Sequence, residues 1–281
     1  MNDEAAIIAI ICSTADLASL NILQHLQKLA SWERCGDYDS SGLFRLIVHS
    51  KRQITLRGLD GQLAAMGLHP KLVVFASRHK SESGKPWIGG HFTGEKVDER
   101  LELSTAAPSG LRSFLRNISA AAPVGFDISA EATHHGPTDL TTPSFFAEIG
   151  SSEPQWQDPQ AGEAVARAIL GIELYDLPVF LGFGGGHYVP RQTSLMFEAD
   201  ISFGHLFSSY QLGNLDRDMI IDAQRKSEAE YAYIDRKSMR SGERGWISGM
   251  LDSIGIPVLR GKEIRTKFPA AKKDMPVDIS K

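Results

Sequence analysis

Short apolar runs alternate with helix-period segments along the whole chain. Ile7–Cys12 is a continuous apolar run of strand length, the pattern of a strand buried on both faces. In Leu17–Leu29, Leu20, Leu23, Leu26 and Leu29 recur at three-residue spacing with Ile22 beside them, which predicts a helix. Phe44–His49 and Leu72–Ala76 predict strands, and Leu111–Ile118 a helix with Ser109 as its N-cap. Phe126–Ala130 and Phe145–Ile149 predict strands, and Gly162–Ile172 a helix. Val179–Phe183, Ile201–Leu206 and Tyr231–Ile234 follow as strands, with a helix near Asp218–Ser227, a helix over Trp246–Ile254 and a last strand at Ile256–Leu259. The alternation predicts an α/β fold: a mixed, mostly parallel sheet flanked by helices. No Pro/Ser-rich linker cuts the chain. Residues 1–264 are therefore expected as one compact α/β domain, with intimate subdomains allowed, and residues 265–281 as a polar, basic, flexible tail.

Composition narrows the function classes. At 281 residues and 42% hydrophobic, the chain can bury a sizeable core. A net charge of −4 excludes a global basic field, so any contact with nucleic acid rests on local patches. Two cysteines, Cys12 and Cys35, exclude a disulfide framework and a cysteine-type zinc module. Cys12, inside an apolar run, reads as a buried free thiol. The Ala5–Cys12 run is too short to span a bilayer and follows acidic residues, so neither a membrane span nor a secretory signal is expected. The expected location is cytoplasmic.

The histidines change the picture most. Of nine, His79, His91, His134, His135 and His187 fall in short polar segments that follow apolar runs: FASRH (75–79), HFTGE (91–95), EATHHGPT (131–138) and GFGGGHY (182–188). Catalytic and metal-binding side chains sit on loops leaving buried strands. The third segment puts Glu131, His134 and His135 with Thr133 and Thr138 beside a Gly-Pro turn signal. Strand neighbours point to opposite faces, so both rings reach one cleft only if the chain turns at Gly136-Pro137. A carboxylate that orients a histidine suits a metal ligand or a general base; a satisfied structural histidine is the bland alternative for either ring. Glu148, inside an apolar strand, must pair with a cation or ligate a metal.

Arg78 can hold a phosphate bidentately, or form a surface ion pair. Lys80 and Lys85 lie in the glycine-containing loop between His79 and His91, which suits an anionic substrate or simple solvation. Gly184, Gly185 and Gly186 suggest backbone N–H groups cradling an anion or oxyanion, against a plain tight turn. This is no dinucleotide fingerprint: the last glycine of a frame starting at Gly182 is replaced by His187, and Pro190 argues against an immediate helix. P-loop, His-Glu-x-x-His, Gly-x-Ser-x-Gly and Cys-x-x-Cys signatures are absent. His205 reads equally as core or site, and His25, His49 and His69 as structural or surface.

In this order, FASRH, HFTGE, EATHHGPT, PSFFAEIGSSE, GFGGGHY with PRQT, and FGH resemble the archaeal and plant type of D-aminoacyl-tRNA deacylase, the D-tyrosyl-tRNA deacylase family of archaea and plants. The opening Asp16–Ile22 segment is also similar, and the resemblance is strong over about residues 10–210. It implies hydrolysis of the ester between a D-amino acid and the 3′-terminal adenosine of tRNA, a chiral proofreading reaction. It implies a phosphorylase/hydrolase-like architecture similar to peptidyl-tRNA hydrolase, and a zinc protein. Departures fall in Lys80–Gly90, Lys96–Ala107 and past about Leu259, which puts the substrate-arm contacts in doubt more than the chemistry.

On that resemblance, His134, His135, Glu131, Glu148 and His187 are expected as catalytic. His79, His91, His134, His135 and Glu148 are the candidate Zn²⁺ ligands, with a histidine base left open as the alternative. Gly184–Gly186 would stabilise the oxyanion, and Arg78, Lys80, Lys85 and Arg191, with Thr138, would meet the tRNA end. The partner is the 3′ acceptor end of D-aminoacyl-tRNA, with no membrane and no obligatory protein partner, the protein being a monomer or weak dimer. A zinc-dependent amidase or exopeptidase is the rival enzyme, and a non-catalytic RNA-binding or metal-storing protein the rival outside enzymes. The sequence names no wall that would reject L-amino acids.

Overall fold

The computed structural model describes residues 6–98 and 100–271. The chain runs β1 (Ile8–Ser13), α1 (Leu17–Leu29), β2 (Glu33–Cys35), β3 (Tyr38–Ser41), β4 (Phe44–His49), α2 (Leu59–Ala65), β5 (Leu72–Arg78) and β6 (Trp87–His91). Next come β7 (Gly94–Val97), β8 (Arg100–Leu103), α3 (Pro108–Ala121), β9 (Asp127–Ala130), β10 (Ser144–Gly150), α4 (Glu153–Trp156) and α5 (Pro159–Leu170). It continues with β11 (Val179–Phe183), α6 (Pro190–Glu198), β12 (Ser202–Phe207), α7 (Arg217–Ser227), β13 (Tyr231–Ile234), α8 (Ser241–Ser253) and α9 (Gly261–Lys267).

The main sheet has eight strands in the order β2-β3-β4-β1-β5-β10-β6-β9. Its centre, β4-β1-β5-β10, is parallel, and antiparallel pairing enters at β2, β3 and between β10 and β6. The sheet is thus mixed and mostly parallel, as the alternation predicts. β1 and β10 are buried along their whole length because helices cover both faces, and such strands need no polar alternation. Ile8, Ile10, Val74 and Phe145 pack with α1, α3 and α5, whereas Ala9, Ile11, Val73 and Phe75 pack with Leu59 and Leu63 of α2. Asp16 caps α1 by accepting from the Ser19 N–H at 3.1 Å. Among the described residues no helix is long and apolar enough to cross a membrane.

A second sheet, β12-β11-β13, is wholly parallel. Its Phe180, Phe203 and Leu206 belong to the same buried cluster as Ile8 and Phe145 of the main sheet. The segment 131–135 is threaded between the sheets. On one side Glu131 N–H donates to Gly90 O (3.0 Å) and His134 N–H to Phe92 O (3.3 Å). On the other, Ala132 N–H donates to His187 O (2.8 Å) and Thr133 N–H to Leu206 O (2.7 Å).

β6 was not foreseen; its residues read as loop. It carries Gly89 and Gly90 because its neighbours leave no room for a side chain. A Cβ at Gly89 would lie 1.9 Å from Ser129 O, and one at Gly90 2.3 Å from Phe146 O. Four other expectations need correction. Ser109 does not cap α3: Ala107 holds the N-cap position, and Ser109 Oγ accepts from Tyr175 N–H at 2.6 Å. Pro190 does not prevent a helix but opens α6, since a first-turn proline sacrifices no intrahelical bond. Ile256–Leu259 forms only an isolated bridge from Val258 to Ala232, as Pro257 has no N–H for a ladder. The start of the expected tail is helical, not irregular: α9 runs to Lys267, and Ala271 N–H donates to Asp200 Oδ2 at 3.0 Å. The rest of that tail, 272–281 with Lys272 and Lys273, lies outside the described residues.

Replacing Gly90 by alanine should destabilise the fold by about 1–3 kcal/mol, because backbone must shift to admit the methyl group. Thermal unfolding checks this; an unchanged midpoint would refute the close approach.

Candidate functional site

Four elements of the main sheet and one loop of the small sheet deliver the polar cluster at the junction. His79 follows β5, His91 ends β6, Glu131 follows β9, Glu148 lies within β10, and His187 sits on the loop after β11. The chain turns at His135 (φ 38°). The rings of His134 and His135 therefore stay on one side, with centroids 4.7 Å apart.

Two sets of imidazoles can be told apart by their hydrogen bonds. His91, His134 and His135 each direct Nδ1 at a backbone carbonyl: Phe92 O (3.0 Å), Ala132 O (2.8 Å) and Gly136 O (2.7 Å). A carbonyl oxygen only accepts, so each Nδ1 carries the proton and each Nε2 keeps its lone pair. The His91 Nε2 is buried without a hydrogen-bond partner. Burial pushes all three rings toward the neutral form: His91 to about 4, His135 to about 3, and His134 well below the ordinary value. One ring nitrogen from each lies within 4.8 Å of the others. Neutral imidazoles that converge with second-nitrogen anchors fit a zinc ion.

The second set surrounds Glu131, which is 0% exposed. His187 Nε2 lies 2.9 Å and His79 Nδ1 3.3 Å from Glu131 Oε1. Burial works against this carboxylate's charge, but the two imidazoles outweigh it and hold the pKa below the usual range. Burial likewise opposes the charge on His79, and the bond to Glu131 overcomes it, so His79 is raised. The same bond raises His187. Glu148 is the opposite case: burial first, then the charge of Glu131, lift its pKa well above the ordinary carboxyl value. Its carboxyl lies 3.8 Å from both His79 Nδ1 and His91 Nε2.

Of the expected metal ligands, His91, His134 and His135 thus converge, whereas His79 groups with Glu131 and His187, and Glu148 with His91 and Glu131. The glycine cradle is corrected. Gly184 N–H already donates to Phe207 O (2.8 Å) and Gly185 N–H to Ser238 Oγ (2.6 Å). Only the Gly186 N–H of the three lacks a protein acceptor among the described residues. The expected substrate cations have the following surroundings. Arg191 pairs with Asp235, Arg78 lies over the Trp156 ring at 4.9 Å, and Lys80 and Lys85 are exposed. Thr138 donates to Glu102 Oε2 at 3.2 Å rather than facing the cluster. His205 is buried and bonded on both nitrogens, to Thr133 Oγ1 (3.1 Å) and Ser104 O (3.0 Å), a structural role.

Three participants escaped the sequence reading. The Tyr188 hydroxyl meets His79 Nε2 at 3.1 Å, the Tyr210 hydroxyl meets His187 Nδ1 at 3.1 Å, and Arg52 adds positive charge beside His135. Tyr188 adjoins His187 in the glycine-rich segment and could have been found there; Tyr210 and Arg52 sit in unremarkable sequence. A cleft of about 280 Å³ opens beside His134 and His135, walled by Leu101, Gln211, Asn214 and Leu215.

A family model described as D-aminoacyl-tRNA deacylase matches residues 66–259. The chain belongs to that family. A D-aminoacyl-tRNA deacylase of Methanothrix thermoacetophila is 46% identical over 263 residues, 92% of this chain and 98% of the relative. That of Methanosarcina acetivorans is 44% identical over 280 residues, 93% of this chain and 94% of its own. The crystal structure of a conserved protein of unknown function superposes with a TM-score of 0.86 at 31% identity, covering 95% of this chain and 99% of that one. The deacylase family is one of hydrolases acting on the aminoacyl-tRNA ester bond. These relatives give the amidase alternative no support.

The buried rings fix a pH dependence of stability. His91, His134, His135 and His205 have lowered pKa values. Unfolded, they take up protons as pH falls through 6.5; folded, they resist to about 4 in His91 and His205. Their contribution is complete above 6.5 and lost as pH falls toward those lower values. His79, His187 and Glu148, with raised pKa values, act oppositely; the two histidines have their full contribution in place by pH 6.5, so below it Glu148 alone opposes the four rings. In chelator, the unfolding midpoint should therefore drop between pH 6.5 and about 4, with net proton uptake on unfolding. A flat profile in calorimetry would contradict the neutral-ring assignment.

Proposed function

We infer that this chain hydrolyses D-aminoacyl-tRNA at the ester of the 3′-terminal adenosine, releasing free D-amino acid and tRNA. The observation that carries this reading is membership of the deacylase family across most of the chain. The polar cluster at the sheet junction supplies groups that ester hydrolysis requires. A tRNA substrate supports a cytoplasmic location, and the expectation for assembly is a monomer or weak dimer without an obligatory protein partner.

His91, His134 and His135 would hold Zn²⁺, a reading supported by their neutral rings, their anchored Nδ1 atoms and the orphaned His91 Nε2. A ring whose pKa lies near 3, like that of His135, is a poor base at neutral pH but keeps its lone pair for a metal. Zinc there would act as a Lewis acid toward the ester carbonyl. His79 and His187 have raised pKa values and share Glu131, so each keeps a proton to higher pH than a free imidazole does, which suits a proton-transfer role. His187, with a side chain 32% exposed, is the one that solvent and substrate reach. A proton held on His187 and the Gly186 N–H would face the oxyanion as it forms. The cleft beside His134 and His135 offers room for the amino-acid end.

Matched D- and L-aminoacyl-tRNA test the reading directly: the D ester should be cleaved selectively, and cleavage of neither would overturn it. Replacing His135 by alanine should slow hydrolysis 100-fold or more, roughly the scale of a lost acid–base or metal group. Elemental analysis separates the two roles without an assay. The purified chain should carry about one zinc and a His91→Ala variant little, as expected of a site that loses one ligand in three. A zinc-free, fully active chain would return the three rings to metal-independent work.

A further inference from the structure

On the deacylase reading, we propose that Tyr210 is the stacking platform for the terminal adenine of tRNA, with the loop Asp235–Arg240 beside it receiving the phosphates of the acceptor end. Among the exposed large apolar side chains of the described residues, Tyr210 is the one bonded to the histidine cluster. Its side chain is open to solvent, at 63% exposure, while its hydroxyl meets His187 Nδ1 at 3.1 Å. The other exposed aromatics, Tyr175 and Trp246, belong to a different loop and to α8.

An exposed ring held this firmly is unusual for simple solvation. The turn that carries it is fastened on three sides. Ser209 N–H donates to Gly185 O at 2.9 Å, Ser209 Oγ to Ser238 O at 3.2 Å, and Gln211 Nε2 to Thr133 O at 2.7 Å. Ser208 N–H and Oγ both donate to Gln211 Oε1, at 2.8 and 2.7 Å. The ring is therefore ordered before any ligand arrives, which lowers the entropy lost on binding. The ester hangs from the ribose of the terminal adenosine, so its base must lie within one nucleoside of the reacting carbonyl. An aromatic face bonded to His187 occupies that position. Stacking on an aromatic side chain is how proteins hold unpaired bases.

Charge completes the surface. Arg236, Lys237 and Arg240 are exposed on the loop after β13. That loop is tied to the Tyr210 turn through Ser238, which also accepts from Gly185 N–H at 2.6 Å. A local cationic loop of this kind answers the net charge of −4, which denies the chain a global attraction for RNA.

The test uses uncharged tRNA, intact or lacking only its terminal adenosine, with binding read by fluorescence anisotropy. The wild type should prefer intact tRNA by about 5- to 100-fold, the span of a base–aromatic stack. Tyr210→Ala should bind both forms alike, whereas Tyr210→Phe and Tyr210→Trp keep the preference. Tyr210→Ala should also raise KM for D-aminoacyl-tRNA far more than it lowers kcat. Arg236→Glu combined with Lys237→Glu should weaken both tRNAs by one factor and flatten the salt dependence. The proposal is overturned if Tyr210→Ala keeps the wild-type preference, or if the wild type shows none. Those outcomes leave the deacylase reading standing, because wild-type hydrolysis of the D ester tests it separately.

Discussion

A carboxylate with no exposed surface, Glu131, must keep its charge inside the protein. Removing an ion from water costs several kcal/mol unless opposite charge lies within reach. His79 and His187 provide it, and they come from the two different sheets. Joining the sheets at segment 131–135 is therefore an electrostatic requirement as well as a packing solution. The same charge reaches further: added to burial, it raises the pKa of Glu148, since a second buried carboxylate so close repels it.

The cluster consequently divides its histidines, lowering the pKa of one set and raising that of the other. Rings whose Nδ1 atoms face backbone carbonyls are pushed toward the neutral form by burial, against the pull of Glu131. Rings facing Glu131 stay protonated further up the pH scale. The His134 and His187 centroids are only 4.7 Å apart, so this division is made over very short distances. A neutral lone-pair set beside a proton-holding set is what attack on an ester and departure of its alcohol call for.

Much of this is legible in the chain itself. The leucine spacing marks α1 to its end residues, and the apolar runs mark β1, β4, β5 and β10. The five histidines are visible because imidazoles in polar segments after apolar runs are conspicuous. What was hidden depended on tertiary neighbours. β6 looks like loop because Gly89 and Gly90 have low strand propensity, and only Ser129 and Phe146 explain them. The partition of histidines into sets depends on which carbonyl or carboxylate each ring meets, and spacing does not encode that. The glycine cradle misled for a related reason: Ser238, distant in sequence, consumes an amide that composition alone leaves free. Pro190 shows that one residue can stop a helix or open it, according to its register.

The threading of 131–135 between the sheets also orders events during synthesis. His79, His91 and Glu131 leave the ribosome before the loop bearing His187, and domains fold from the N-terminus as they emerge. Until residue 187 arrives, Glu131 has only part of its counter-charge and the segment has an unpaired backbone edge. The nascent main sheet thus cannot finish its own interior. A product that stops before residue 187 therefore lacks the imidazole that completes the counter-charge of Glu131.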